Sequence, residues 1–221
     1  MKCGDAMENR TGVSALKKLL HRNDCEFVSL GFNCDVAHLL RYSGLRNKAY
    51  PFDWCITPNE SVIKLIESDF AGFFDVNNFT FSNPHRALVF EGEDGQIVES
   101  DKIVVTAYCN KYNMSFPHDF PDGYIYHDVS DKYNKRVGRF LNLIKSNKTV
   151  VFIFKTEREE NEFVAELTAV FKIKYPSFSF YVFSLDELEL VMNRNLSKVV
   201  LKFVNRKVSR INKFVSRLLC Q

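Results

Sequence analysis

The sequence predicts an α/β domain in which helices flank a mainly parallel central sheet and a β-hairpin is inserted into the framework. Two observations carry this prediction: four short apolar runs rich in Val, Ile and Phe do not alternate strictly with polar residues, and helical patterns separate several of them. Such runs are typical of strands buried on both faces, as in parallel sheets. The runs are Phe27–Leu30, Ile103–Tyr108, Val150–Phe154 and Phe178–Phe183.

Four stretches between these runs place apolar residues three and four positions apart, which predicts helices with one buried face. The first stretch ends before Gly44, a residue that commonly follows the last turn of a helix. Strands that alternate with helices require crossover connections and therefore a parallel sheet. The helical stretches begin near residues 35, 60, 130 and 160, and an acidic, glycine-containing turn within residues 87–100 predicts the hairpin.

Charge divides the 221-residue chain into a body and a tail. Residues 190–221 contain eight Lys or Arg and no Asp or Glu. The rest of the chain therefore contains 22 of the 30 basic residues and all 27 acidic ones. We therefore predict a charged, helical N-terminal segment over 1–25, a catalytic α/β domain over 26–189 and a basic amphipathic helix over 190–221.

The basic tail has three interpretations. It could adsorb to an anionic membrane surface, or pack on the acidic body or on a second copy of the chain. Contact with nucleic acid is disfavoured, since the tail lacks stacking aromatic residues and a recognised binding module.

Composition limits the location and the chemistry of the protein. No uncharged apolar run reaches 18 residues, and the charged N-terminal segment is not typical of a signal peptide, so we expect a cytoplasmic protein. In that reducing compartment the six cysteines are expected to be free thiols. No Cys or His pair has zinc spacing, and we expect neither a metal nor a cofactor.

Cys34 follows a predicted strand and Gly31, directly before a predicted helix. A helix N-terminus favours a thiolate and can hold an oxyanion through its unpaired amides, here those around Asn33 and Asp35. Cys34 is therefore a candidate nucleophile. The alternative is a buried thiol that packs the start of the helix.

A nucleophilic thiol needs a base within hydrogen-bond reach. His118 lies in a proline-rich loop after a predicted strand, where open α/β sheets place their sites, and His38 is the local rival one helical turn beyond Cys34. Three acids could orient the imidazole: Asp53, Glu157 and Asp186. Each of them has a structural alternative as a helix cap or a local hydrogen-bond acceptor.

Two segments together resemble a family of proteins of otherwise unknown function that are predicted to be papain-like cysteine peptidases. They are "FVSLGFNCDVAHLLRYSGLRNKAYPFDW" and "FPHDF" followed by "DKYNKRVGRFLNLIKSNKTVVFIFKTE". The resemblance implies Cys34 as nucleophile, His118 as base and a papain-like α+β fold as the alternative architecture. The family pattern usually carries Arg where this chain has Lys155, so the chain departs from the pattern there. Lys155, and Arg136 and Arg139 on the basic face of a predicted helix, are the candidates for binding an anionic group.

The sequence therefore predicts a cysteine-dependent hydrolase or acyl transferase that acts on an amide or ester bond of a peptide, ester or other acyl substrate. The competing interpretation is a non-catalytic α/β module that binds an anionic ligand or a partner.

Overall fold

The protein is described by a computed structural model that covers residues 12–91, 96–121, 124–156 and 159–192. The predicted basic helix over 190–221 lies outside these residues except for its first three, and so does Glu157. Within the described ranges no helix is both long enough and apolar enough to cross a membrane.

A parallel sheet of three strands, in the order β1-β6-β7, forms one half of the structure. Strand β6 (Thr149–Phe154) is central and pairs with β1 (Cys25–Ser29) on one side and β7 (Phe180–Ser184) on the other. Both faces of β6 are buried, which explains its apolar run without alternation. This confirms the predicted parallel arrangement for three of the four apolar runs.

Helices cover both faces of the parallel sheet. Side chains of α1 (Val13–Leu19) and α2 (Asp35–Tyr42) pack with β1, β6 and β7 in one core cluster. Side chains of α3 (Asn59–Glu67), α4 (Tyr126–Ile144) and α5 (Glu160–Lys174) pack in a larger cluster that includes Val28, Phe152 and Val182 from the opposite face. Residues 185–192 are helical and contribute Leu188 and Val191 to the smaller cluster.

The second sheet is antiparallel and is built around the long strand β4 (Gln96–Cys109). Strands β2 (Phe79–Phe81) and β3 (His85–Glu91) pair with one edge of β4, and β5 (Met114–Pro121) pairs with the other. The predicted hairpin is confirmed as β3 and β4, and it belongs to this larger sheet.

The run Ile103–Tyr108, which we expected in the parallel sheet, lies in β4 of the antiparallel sheet. Strands pair with both edges of this run, and Val105 and Ala107 join the larger core cluster. A short apolar run does not distinguish these two kinds of sheet, because both can bury it. The fold class is nonetheless α/β, as predicted, and the antiparallel sheet lies beside the parallel one. The domain limits at residues 25 and 189 stay predictions.

Candidate active site

The loop between β1 and α2 has an unusual backbone conformation. Gly31 and Phe32 both have positive φ angles, +84° and +77°, and a non-glycine residue rarely adopts this conformation. Phe32 is held there by two backbone hydrogen bonds with Thr57, of 3.1 and 3.2 Å. Strained backbone of this kind persists where the surrounding structure fixes it and is common at functional sites. The loop fixes the position of Cys34.

Cys34 is the residue that directly precedes the first turn of α2, and its carbonyl accepts the first helical hydrogen bond, from the amide of His38 at 2.9 Å. The side chain of Asn33 satisfies the amide of Asp35 at 3.0 Å and donates to the Asp35 carboxylate at 2.8 Å. Within the described part of the chain, the amides of Asn33 and Cys34 have no acceptor. Of the two amides proposed from the sequence for an oxyanion, that of Asn33 is free and that of Asp35 is occupied.

The thiol of Cys34 is not activated by its surroundings. Burial first, and then the carboxylates of Asp119, Asp35 and Asp53, together raise the pKa of Cys34 to about 11. The sequence predicted the opposite, a pKa lowered by the start of the helix. That expectation is wrong for the free protein, since desolvation and three nearby negative charges favour the protonated thiol. At neutral pH Cys34 is therefore a thiol.

Asp53 lies fully buried in the segment between α2 and α3. Its Oδ2 accepts hydrogen bonds from the Arg46 guanidinium and from the amide of Tyr50 at 2.7 Å, while its Oδ1 has no partner among the described residues. Burial raises the pKa of Asp53 to about 6 in spite of Arg46. The sequence proposed Asp53 as an acid that orients an imidazole, whereas its partners in the structure are a guanidinium and an amide.

Asp119 is the acid that the sequence interpretation missed. It lies in a bulge of β5, where residues 117–119 face the single residue Thr106 of β4. Its side chain, 9% exposed, accepts hydrogen bonds from Lys132 and from the Tyr133 hydroxyl on α4. The bulge directs the Asp119 side chain onto α4, and its carboxylate is still close enough to Cys34 to raise the pKa of that thiol. The available signal was its place directly after His118 in "FPHDF".

The two candidate bases differ in their surroundings. His118 is exposed, and among the described residues its ring takes part in no hydrogen bond, ion pair or ring contact. The ring of His38 packs edge-on against Trp54, with centroids 4.9 Å apart, and stacks on Tyr42. The pKa of His38 is lowered, chiefly by burial and to a lesser extent by charges that include His118. The two imidazoles therefore lie within electrostatic range of each other.

Two further predicted residues, Lys155 and Asp186, follow the ends of strands β6 and β7. Lys155, at the end of β6, forms an ion pair with Asp35 at 2.7 Å, so its cation is already compensated. Asp186 is exposed in the helical stretch after β7. Neither residue contacts an imidazole in the part of the chain that the structure describes.

The two candidate arginines on α4 have different positions. Arg139 donates two hydrogen bonds to the carbonyl of Ala49, at 3.1 and 2.8 Å, and thereby joins α4 to the segment that carries Asp53. Arg136 is 7% exposed, and its guanidinium lies 4.5 Å from the ring centroid of Tyr133. Arg136 faces the interior, whereas the helical pattern placed it on the solvated face.

The thiols and carboxylates of the site form no metal centre: in the described ranges no three His, Cys, Asp or Glu side chains have the arrangement to hold one. Cys25, Cys34, Cys55 and Cys109 are free thiols. Cys55 is fully buried near Cys34 and bonds to Thr57 and the carbonyl of Pro51.

The fold and the site define an α/β protein with a cysteine at the start of a helix, directly after a strained loop, and a histidine in the bulge of β5. The chain belongs to the family described as "Putative papain-like cysteine peptidase (DUF1796)", whose model matches residues 25–185. It is 34% identical over 158 residues to "Uncharacterized protein R408" of Acanthamoeba polyphaga mimivirus, an alignment that covers 66% of this chain and 69% of the relative. No solved structure matches the chain.

Proposed function

We propose that the protein is a cysteine-dependent hydrolase or acyl transferase, peptidase-like in its chemistry, that acts on an amide or ester bond. The observation that carries this proposal is that Cys34 stands at the start of a helix with two backbone amides, its own and that of Asn33, that have no acceptor among the described residues. Membership of a papain-like cysteine peptidase family supports the same assignment.

Cys34 is the nucleophile, and its high pKa dictates how it is activated. A resting thiol needs a base that removes its proton as the sulfur attacks, so catalysis proceeds by general-base assistance rather than through a preformed thiolate. We assign this base to His118, which the family resemblance implies, whose ring has no competing partner among the described residues and whose chain neighbour, Asp119, is within electrostatic range of Cys34.

In the reaction, the Cys34 proton passes to the His118 imidazole while the sulfur bonds to the substrate carbonyl carbon. The negative charge that develops on the carbonyl oxygen is stabilised by the amides of Asn33 and Cys34. The protonated imidazole then gives its proton to the departing amine or alcohol, and a thioester remains on Cys34. Water, or an acceptor in a transferase, cleaves that thioester and returns the proton to the sulfur.

A test of this function measures acylation of Cys34 by p-nitrophenyl acetate and its alkylation by iodoacetamide, each as a function of pH. We expect the alkylation rate of Cys34 to rise with a midpoint above that of an ordinary thiol. We also expect His118→Ala to slow acylation at pH 7.5 by about 100-fold, the usual contribution of a general base.

Two variants control this experiment. His127→Ala removes an exposed histidine at the start of α4 and should leave the rates unchanged. His38→Ala removes the rival base, and a larger loss there than at His118 would transfer the assignment to His38. Equal acylation rates for wild type, His118→Ala and His38→Ala would refute base-assisted catalysis. The non-catalytic binding module would then be the better function, and the raised pKa of Cys34 already favours it.

A further inference from the structure

The guanidinium of Arg136 has a buried hydrogen-bond donor that finds no acceptor among the described residues. Its Nη1 is buried and unpartnered, and no described carboxylate forms an ion pair with the guanidinium. The nearby acids Asp53 and Asp119 each bond to another cation, Arg46 and Lys132. Burying a charged donor without a partner costs stability, so a ligand that supplies an acceptor would be favoured at this position.

Asp53 has a buried acceptor oxygen that receives no hydrogen bond from the described residues. Its Oδ1 is unpartnered, although Oδ2 of the same carboxylate is fully engaged. Carboxylate oxygens buried in proteins are normally hydrogen-bonded, and the exceptions call for an explanation. One unsatisfied donor and one unsatisfied acceptor are therefore present close to the candidate nucleophile.

Packing contacts bring the side chains of Arg136 and Asp53 close to each other. Arg139 bonds to the carbonyl of Ala49, and the ring of Phe52 packs edge-on against that of Phe140, with centroids 5.8 Å apart. Residues 49–53 therefore lie along the turn of α4 that carries Arg136, and the positive charge of Arg136 lowers the pKa of Asp53. The two unpartnered atoms do not bond to each other, so among the described residues both the donor and the acceptor stay unsatisfied.

The same segment supports the loop that positions Cys34. A Cβ placed on Gly31 would lie 3.4 Å from the Cβ of Phe52, and the carboxylate of Asp53 raises the pKa of Cys34. Asp53 is therefore close to the proposed nucleophile, and Arg136 is in turn close to Asp53.

We propose that Arg136 and Asp53 form a subsite beside Cys34 that recognises a primary carboxamide, such as the side chain of Gln or Asn. The carboxamide oxygen accepts from Nη1 of Arg136, and its NH2 group donates to Oδ1 of Asp53. A carboxylate offers acceptors only and places a negative charge against Asp53. An ammonium offers donors only and meets the guanidinium. This proposal rests on the proposed function, because the subsite is placed near Cys34. The substrate class that it identifies is carboxamide-bearing peptides.

The test measures binding without turnover, in the full-length chain with Cys34→Ala. The probes are N-acetyl-glutamine N-methylamide and N-acetyl-asparagine N-methylamide, each compared with its Glu or Asp counterpart by calorimetric titration at pH 7.5. We expect at least one carboxamide to bind at least 10-fold more tightly than its acid. Arg136→Lys should weaken that binding about 10- to 100-fold, the usual cost of leaving a buried partner unsatisfied.

The controls separate recognition from a general effect on the fold. Arg41→Lys makes the same exchange at an exposed position at the end of α2 and should change nothing. Asp53→Asn adds a donor at residue 53 and should move the preference towards the acid. If that variant fails to fold by circular dichroism, Arg136→Lys decides alone.

Three results would overturn the subsite: no binding of either carboxamide, equal binding of amide and acid, or equal effects of Arg136→Lys and Arg41→Lys. Bound water alone would then satisfy the two atoms. These results are independent of catalysis. A wild-type protein that binds carboxamides without reacting at Cys34 contradicts the proposed function, whereas one that acylates Cys34 without carboxamide preference contradicts only the subsite.

Discussion

Three carboxylates act on Cys34, and each of them forms an ion pair with a cation. Asp35 pairs with Lys155, Asp53 with Arg46 and Asp119 with Lys132. These cations lower the cost of burying the acids, yet the carboxylates still raise the pKa of the thiol. A protein that keeps its cysteine protonated at rest protects it from adventitious oxidation and alkylation, because the thiolate is the reactive species.

Asp53 should make the stability of the protein depend on pH in an unusual direction. Its pKa is raised to about 6 in the folded state, against about 3.9 in an unfolded chain, so the folded protein holds this proton more tightly. The contribution of Asp53 to the free energy of unfolding is therefore present at low pH and is lost as pH rises from about 4 to about 6. The loss amounts to roughly 3 kcal/mol.

Urea unfolding of wild type and Asp53→Asn between pH 4 and pH 7 measures this effect. The difference in free energy of unfolding, wild type minus variant, should decrease across that window and stay constant above it, because the variant has no titrating group at residue 53. Asp101→Asn, at an exposed position, should give a nearly constant difference. A wild-type advantage that grows with pH would show instead that Arg46 holds the pKa of Asp53 below its ordinary value.

Sequence reasoning at the scale of single residues found Cys34 and Asp53 but could not find their partners. Arg46, Asp119 and Tyr133 come from separate segments, and no local spacing connects them. The bulge that turns Asp119 inward depends on the pairing of β5 with β4, which is not encoded in "FPHDF" alone. The pKa of Cys34 was mispredicted for a related reason, since burial, its largest cause, and the position of Asp119 both depend on the tertiary fold.

At the scale of secondary structure elements, the junction of β1 and α2 depends on Gly31. Its φ of +84° is unfavourable for any other residue, and an added Cβ would lie 3.0 Å from the Cβ of Thr57. Gly31→Ala therefore introduces both backbone strain and a steric overlap. Gly44, after α2, has a similar φ of +72° but open space around it. The two glycines allow strain and overlap to be measured separately.

Gly44→Ala should lower the free energy of unfolding by about 1 kcal/mol, the cost of a left-handed alanine. Gly31→Ala should lower it by at least about 1 kcal/mol more, because packed atoms must move apart. Urea denaturation followed by circular dichroism gives both values. Equal costs for the two variants would mean that Thr57 yields freely and that the loop before Cys34 is less constrained than its contacts indicate.

The elements themselves were largely predictable. Apolar spacing located α2 to α5, and uninterrupted apolar runs located β1, β6 and β7, since burial on both faces leaves no polar position in a strand. The same reasoning placed Ile103–Tyr108 in the wrong sheet. Strand β4 also has partner strands on both edges and side chains in the core, so its composition resembles that of a parallel strand. Composition alone does not reveal which strands pair with it.

At the scale of the whole molecule, one core joins the two sheets. The larger cluster combines Phe152 and Val182 of the parallel sheet with Ala107 and Phe116 of the antiparallel sheet, and helices α3 to α5 pack within it. Because this core is shared, neither sheet can lose its packing without exposing apolar surface of the other. The candidate site lies where segments from both halves meet, so its geometry depends on the intact core.

Phe140 on α4 is a good position at which to test this coupling. Its ring contacts those of Phe52, Phe70 and Phe152, and so it joins the segment bearing Asp53 to the parallel sheet. Phe140→Ala should lower the free energy of unfolding by about 3 to 5 kcal/mol, the usual result of removing a buried ring. Phe81→Ala, at a partly exposed ring, should cost less than half as much.

The shared core also predicts how the variant unfolds. Trp54 is the single tryptophan and lies beside the site, so its fluorescence reports on that region, while far-ultraviolet circular dichroism reports on all helices and strands. In Phe140→Ala the two signals should change at the same, lower urea concentration, as expected of one cooperative unit. A fluorescence transition that preceded the loss of secondary structure would show that the site segment unfolds on its own. The subsite formed by Arg136 and Asp53 would then be held by local contacts and not by the core.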